Sequence, residues 1–194
     1  ENVKKAMHIV MDDNGINLSR RRITLSTSGV VPEIYRCGEE IGVNLAISLH
    51  AVNDETRSEI MPINNKYPID ELLTACKNYA GLKNSRKITF EYILLKGIND
   101  SDDDANELVK LIKTIAPEIK VVLGGPEVSH LPDQPEVVDL ADYVVQGAGE
   151  HSFKQLCGQL LNNETPVHAH IKGIAKPLEE LIMPYAYYSE DDIK

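Results

Sequence analysis

The chain has three cysteines in 194 residues, Cys37, Cys76 and Cys157, and no two of them fall at a CxxC or CxxxCxxC spacing. Thiols so dispersed have no local loop to close around zinc or an iron–sulfur cluster. An odd number of them also predicts reduced thiols and no structural disulfide. Basic residues are scarce too: 20 Lys plus Arg against 30 Asp plus Glu leave a formal charge of −10. That balance opposes adsorption to a phosphate backbone, which depends on cations displacing counterions, so no nucleic-acid partner is expected for this acidic chain alone. Arg20-Arg21-Arg22 is the only compact basic cluster, and it reads as solvated charge at a helix end and strand entry. Long apolar runs are missing: none approaches the ~18 residues of a membrane helix, and no basic-then-apolar leader stands at the start. The expected setting is the cytoplasm, with no membrane partner.

What is present is a pattern that builds a core. A chain this long, 42% hydrophobic, buries roughly 70% of its unfolded surface, so a single α/β domain over 1–194 is the expectation. Val3, Ala6, Met7, Ile9 and Val10 already have helical spacing behind Glu1, so the start reads as a cut in something longer, with Gly15 of Asp12-Asp13-Asn14-Gly15 as the helix stop. Short apolar runs at Ile23–Ser26, Leu45–Leu49, Ile88–Leu95, Ile119–Leu123 and Asp142–Gln146 read as strands, the third the longest. Helices are predicted between them, from Pro32 to Gly42, from Pro68 to Tyr79, after the Asn99-Asp100-Ser101 cap, at Val137–Leu140 and from Ser152 to Leu161. Alternation of this kind predicts right-handed crossovers and a parallel sheet. Val167–Gly173 reads as a hairpin strand bearing His168 and His170 on one side, too few ligands for a metal, and the end at Ser189–Lys194 as frayed.

Ligands of parallel sheets sit beyond the strands' carboxyl ends. Polar residues end three strands here: Ser26-Thr27-Ser28-Gly29, Ser48 with His50, and Glu91 followed by Asn99. Arg21–Pro32, Leu45–Ala51, Met61–Asn64, Lys66-Tyr67 and Phe90–Asp100 closely resemble the radical S-adenosylmethionine enzymes that methylate adenine C2 in ribosomal and some transfer RNAs. The resemblance implies that residues 1–113 are the middle of a (β/α) barrel and that Ser26, Ser48, Leu49 and His50 sit where that family contacts S-adenosylmethionine. The family's cluster-binding CxxxCxxC and Gly-Glu-Pro loop are absent, so no iron–sulfur cluster and no catalytic residue are expected. Cys157-Gly-Gln-Leu160 echoes the family's methyl-carrying motif, but inside a predicted helix it reads as a core residue.

Beyond a seam near Thr114–Lys120 a second pattern takes over. Val121–Glu127 and Ala141–Glu150 resemble the last two strands of the flavodoxin-like cobalamin-binding domain of some radical enzymes, and Pro177–Tyr185 resembles the linker that follows it. Gly124, Gly125, Gly147 and Gly149 would then form a floor for the cobalamin tail. The Asp-x-His-x-x-Gly loop that holds cobalt is missing, so full ligation is not expected and those glycines read as serving only tight turns.

Together these readings predict a five-stranded parallel sheet with helices on both faces, flavodoxin-like, in strand order 1-2-3-4-5 or 2-1-3-4-5. The alternative is an opened half of a (β/α)8 barrel, whose exposed edges would invite a second copy. Residues 1–113 would be barrel-derived, 114–166 cobalamin-domain-derived, and 167–194 an irregular tail. The function expected is that of an engineered or recombined hybrid scaffold without turnover or resident cofactor. The rival readings are a fragment that still binds S-adenosylmethionine at Ser26, Ser48 and His50, and a cobalamin-binding module.

Overall fold

In the computed structural model, which describes residues 1–80, 86–126, 128–129, 134–175 and 177, helix α1 (Asn2–Met11) opens the chain. The turn after it is reversed by Asn17 at φ 54 and not by Gly15. Asp12 explains the difference: its side chain accepts from the Asn14 N–H and its carbonyl from Gly15 and Asn17, so the left-handed position falls on an asparagine, which tolerates it.

Arg20–Arg22 make one 3-10 turn into β1 (Thr24–Thr27). Helix α2 (Val31–Glu40) carries Pro32 in its first turn and leads to β2 (Asn44–Ser48). Helix α3 (Asp54–Ile60), a 3-10 turn at Pro62–Asn65 and α4 (Ile69–Lys77) precede β3 (Ile88–Glu91). Helix α5 (Asp102–Ile115) starts at a capping box in which the Ser101 hydroxyl accepts from the Asp104 N–H and the Asp104 carboxylate from the Ser101 N–H.

Strands β1, β2 and β3 form a parallel sheet in that order, with Leu25 opposite Leu45, Leu45 opposite Ile88, and Ile47 opposite Phe90. The period of two along each strand separates two faces. Leu25, Leu45, Ile47, Ile88 and Phe90 join Val31, Ile34 and Cys37 of α2 and Leu72, Ala75 and Cys76 of α4 in one core cluster. Both crossover helices therefore cover the same face. The opposite face presents Ser26, Ala46, Ser48, Thr89 and Glu91, of which Ser26, Thr89 and Glu91 are exposed.

The chain divides into two compact units, Glu1–Pro117 and Glu118–Lys194, with the division inside the region where the sequence pattern changes. The second unit contains β4 (Val122–Gly124), α6 (Val137–Leu140), β5 (Tyr143–Gln146), α7 (Glu150–Leu161) and β6 (His170–Lys172). Its strands are parallel in the order β4-β5-β6, over a small cluster of Val128, Val138 and Val144.

The single five-stranded sheet is thus corrected to two three-stranded parallel sheets in sequential order. The sixth strand is the predicted hairpin, which instead returns parallel to β5, with Val144 N–H bonded to the Ala169 carbonyl and Gly173 N–H to that of Gln146. A helix precedes it, and a helical crossover delivers a strand in the same direction. The third strand stops at Glu91, short of the predicted Leu95. Leu49 and His50 both donate to the Glu91 carbonyl, His50 turns out of the sheet at φ 57, and β3 has no further partner on β2. The predicted linker after Pro177 and the end at Ser189–Lys194 lie outside the described residues. No helix among the described residues is long and apolar enough to cross a membrane.

Candidate functional site

Parallel strands deliver their carboxyl ends to one edge, and in the first unit that edge is organised by a buried cation. Arg57, on α3, is 0% exposed. Its Nε donates to the Leu49 carbonyl at 3.0 Å, and its Nη2 to the carbonyls of Ser28 at 2.8 Å and Ser48 at 3.0 Å. Its Nη1 donates to Asn64 Oδ1 at 2.8 Å. Burial pulls the guanidinium below its usual pKa, opposed by the charge of Asp54; the fork-shaped donor set suits three acceptors at two strand ends and a fourth on the Pro62–Asn65 turn.

Asn64 is held in turn by Asp54, whose Oδ1 accepts from Asn64 Nδ2 and from the Ile69 N–H, both at 2.9 Å. Gly29 passes this cluster at φ 109, and a Cβ there would stand 3.1 Å from Leu72 Cδ1 and 3.3 Å from Arg57 Nη2, so the turn admits only glycine.

On this frame the predicted residues separate. Ser26 and Ser48 share the polar face of neighbouring strands, and the Ser48 hydroxyl donates to Glu91 Oε2 at 3.4 Å. His50 follows at the edge, its Nδ1 accepting from the Ile93 N–H at 3.2 Å and its carbonyl from Asn99 Nδ2 at 2.6 Å. Leu49 is 2% exposed, so its side chain belongs to the interior and only its backbone reaches the edge. Arg57 and Asn64 are not among the residues expected at the site, whereas Asn99 is expected there only as a polar residue beyond the third strand. For Asn64 and Asn99 a polar residue inside a resembling motif is the available signal, because a polar side chain with no place in the apolar stripe must pair when buried; Arg57 lies outside those motifs.

In the second unit, Gly124, Gly125, Gly147 and Gly149 line one open cavity of about 400 Å³ together with Glu150 and Phe153. Gly125 and Gly147 have φ 117 and φ 76, and a Cβ on either would meet open space. Backbone conformation, not crowding, requires glycine at both. Ser129 pins the two loops: its hydroxyl donates to the Gly125 carbonyl at 2.6 Å and accepts from the Gly147 N–H at 2.9 Å. No histidine stands among the described lining residues, and Glu150 puts a carboxylate in the first turn of α7, where an anion would otherwise be favoured.

The thiols do not form a ligand set. Cys37 and Cys76 lie in the core, where burial pushes both up, Cys76 to about 12. Cys157 is half-buried on α7 and not the core residue expected. Among the described residues no group of three or more His, Cys, Asp or Glu could hold a metal ion, and His168 and His170 are both exposed.

Parallel sheets with polar residues and glycine turns beyond their carboxyl ends place the chain among α/β proteins. A solved radical SAM methyltransferase from Sphaerobacter thermophilus is similar over 92% of this chain and 48% of its own, at 33% identity and a TM-score of 0.55. More particularly, the chain is 63% identical over 126 residues, 65% of its length and 31% of the relative's, to the dual-specificity RNA methyltransferase RlmN of Chelativorans sp. (strain BNC1). It is 55% identical over 151 residues, 77% of its length and 38% of the relative's, to RlmN of Granulibacter bethesdensis. Residues 82–157 match the B12 binding domain family. The chain spans about a third of the length of these curated relatives.

These similarities overturn the expected engineered hybrid without activity. A match of 126 consecutive residues in a chain of 194 includes residues 69–126 wherever it begins, so likeness to natural methyltransferases runs through Thr114–Lys120.

Proposed function

We propose that this chain is part of a radical S-adenosylmethionine RNA methyltransferase and that its first unit supplies the edge against which S-adenosylmethionine lies. The observation that carries the reading is the convergence of Ser26, Ser48 and Glu91 on one polar sheet face at strand ends held by Arg57. The polar groups suit the molecule: hydroxyls for its ribose and amino-acid groups, and a carboxylate for its cationic centres. When bound, S-adenosylmethionine supplies the methyl group.

The chain's own residues have narrower tasks. Ser48 orients the Glu91 carboxylate, and Arg57 fixes the carbonyls of Ser28, Ser48 and Leu49 so that Ser26 and Ser48 keep one spacing. His50 presents its ring at the rim while its Nδ1 is occupied by Ile93. No cluster ligand is assigned to this chain, since its thiols are not grouped.

Calorimetric titration with S-adenosylmethionine tests the reading. Binding to the native chain, weakened about tenfold by Ser48→Ala through loss of one or two hydrogen bonds, is expected. No heat at millimolar ligand overturns it.

A second reading is favoured by the B12 binding domain match, which encloses all four cavity glycines. There the cavity over β4 and β5 receives the tail of cobalamin. Co-elution of cobalamin with the chain, abolished by Gly147→Val, is the expected result; an unchanged cobalamin absorption spectrum and separate elution reject it.

A further inference from the structure

The amino-end edge of the first sheet, away from the candidate site, gathers basic residues in an otherwise acidic chain. At the amino ends of β1–β3, Ser19, Arg20, Arg21, Gly42, Asn44 and Arg86 line a cavity of about 300 Å³. Asn44 ties three segments together there. Its Nδ2 donates to the Arg21 carbonyl at 2.9 Å, and its Oδ1 accepts from the Lys87 N–H at 2.9 Å. Arg86 is fixed by the Gly38 carbonyl at 2.6 Å and lies over the Tyr79 ring, 5.8 Å from its centroid. Gly42, at φ 75, leaves the space that the Arg86 guanidinium takes, since a Cβ there would collide with it.

Four of the cations at this edge are unspent. Arg20, Arg21, Arg22 and Lys87 are exposed, and none makes an ion pair or a side-chain hydrogen bond among the described residues. Elsewhere Lys4, Arg36, Lys110 and Lys120 are each paired with a carboxylate. In a chain with 30 acidic residues and a net charge of −10, five cations gathered without a carboxylate partner are a local exception to the average field. A net charge describes adsorption by the whole surface; a phosphate strand reads only the patch it touches. Guanidinium forks, an amide-fixed floor and an exposed hydroxyl at Ser19 are the donor set for successive phosphates.

We propose that Arg20, Arg21, Arg22, Arg86 and Lys87 form a docking patch for the phosphate backbone of the RNA substrate, at the end of the first sheet away from Ser26 and Ser48. The choice of RNA rests on the methyltransferase reading above; the patch itself does not. Contacts of this kind position a nucleic acid without reading its bases.

The experiment uses the 194-residue chain and a short fluorescein-labelled RNA hairpin, followed by anisotropy over a range of salt. Replacement of Arg20, Arg21 and Arg22 together by Ala is expected to weaken binding about tenfold at low salt and to lower the salt slope by about two to three, one step or slightly less for each lost phosphate contact. A control with Lys5, Lys77 and Lys154 replaced by Ala removes the same charge elsewhere and is expected to leave the slope within one of native. Equal loss in both triple variants, or no loss in the arginine variant, overturns the patch. Displacement by inorganic phosphate as effective as by unlabelled RNA, at equal phosphate concentration, overturns the assignment to an RNA backbone. The S-adenosylmethionine titration is repeated on the arginine variant: unchanged heat with lost RNA binding supports the patch. Absence of heat in the native chain defeats the methyltransferase reading alone.

Discussion

The two units are built from the same parallel strand-and-helix grammar but are held in different ways. The first has a continuous core on one side of its sheet and a buried polar network, Arg57, Asn64 and Asn99, at its strand ends. The second has a cluster of three buried valines, and its strand ends are closed by one serine across glycine loops. The contrast teaches that strand-end chemistry needs a rigid support: a network can fix hydroxyls to one spacing, whereas bare backbone offers shape and little direction.

The sharpest way to break the contrast is Arg57→Met. It strips four acceptors of their donor inside the first unit and is expected to destabilise that unit by about 3–5 kcal/mol. Denaturant melting followed by hydrogen exchange checks it: amides of β1 and β2 lose protection while those of β5 keep theirs. Equal losses in both units would show that they unfold as one.

A matched pair of truncations then sharpens it. Leu72→Ala, at a residue 0% exposed in the larger core, is expected to cost about 3–4 kcal/mol, and Leu156→Ala, 1% exposed in the second unit, about 2 kcal/mol. The smaller cost reflects a site that can collapse. Stability curves of both variants decide it, and a reversed order would place the denser packing in the second unit.

The smallest expected effect is on pH dependence. Burial raises Cys76 from an ordinary value of 9.0 to about 12. Because the folded value lies above the unfolded one, its contribution is complete below pH 9 and is lost as pH rises towards 12. About 1.4 kcal/mol of the Cys76 contribution should be gone by pH 10, and Cys76→Ala should remove that part of the slope. The second unit should not share the loss.

Legibility in the sequence followed the range of the interactions involved. Strands at Thr24–Thr27 and Asn44–Ser48 and the helices between them were readable because period and caps are local. The overlong third strand was not corrected by anything local: Ile93, Leu94 and Leu95 are as apolar as their predecessors, and only the departure of His50 from β2 removes their partner. Division into two sheets was hidden for the same reason, since short apolar strands do not announce their neighbours. In the candidate site Ser26 and Ser48 stood out as hydroxyls at strand ends, and the glycines stood out after theirs. Arg57 did not, because a lone arginine in a short helix looks like any solvated charge until the carbonyls of residues 28, 48 and 49 surround it.

That arrangement also imposes an order in time. The acceptors of Arg57 come from β1, β2 and the turn carrying Asn64, and they exist as a set only once those strands have paired. Until then the guanidinium keeps its water, so its desolvation is expected on the native side of the folding barrier. Arg57→Lys should therefore speed unfolding while leaving the rate of folding nearly unchanged, which stopped-flow chevrons resolve. A nascent chain ending before Arg57 would hold both strands yet lack the clasp that seals them.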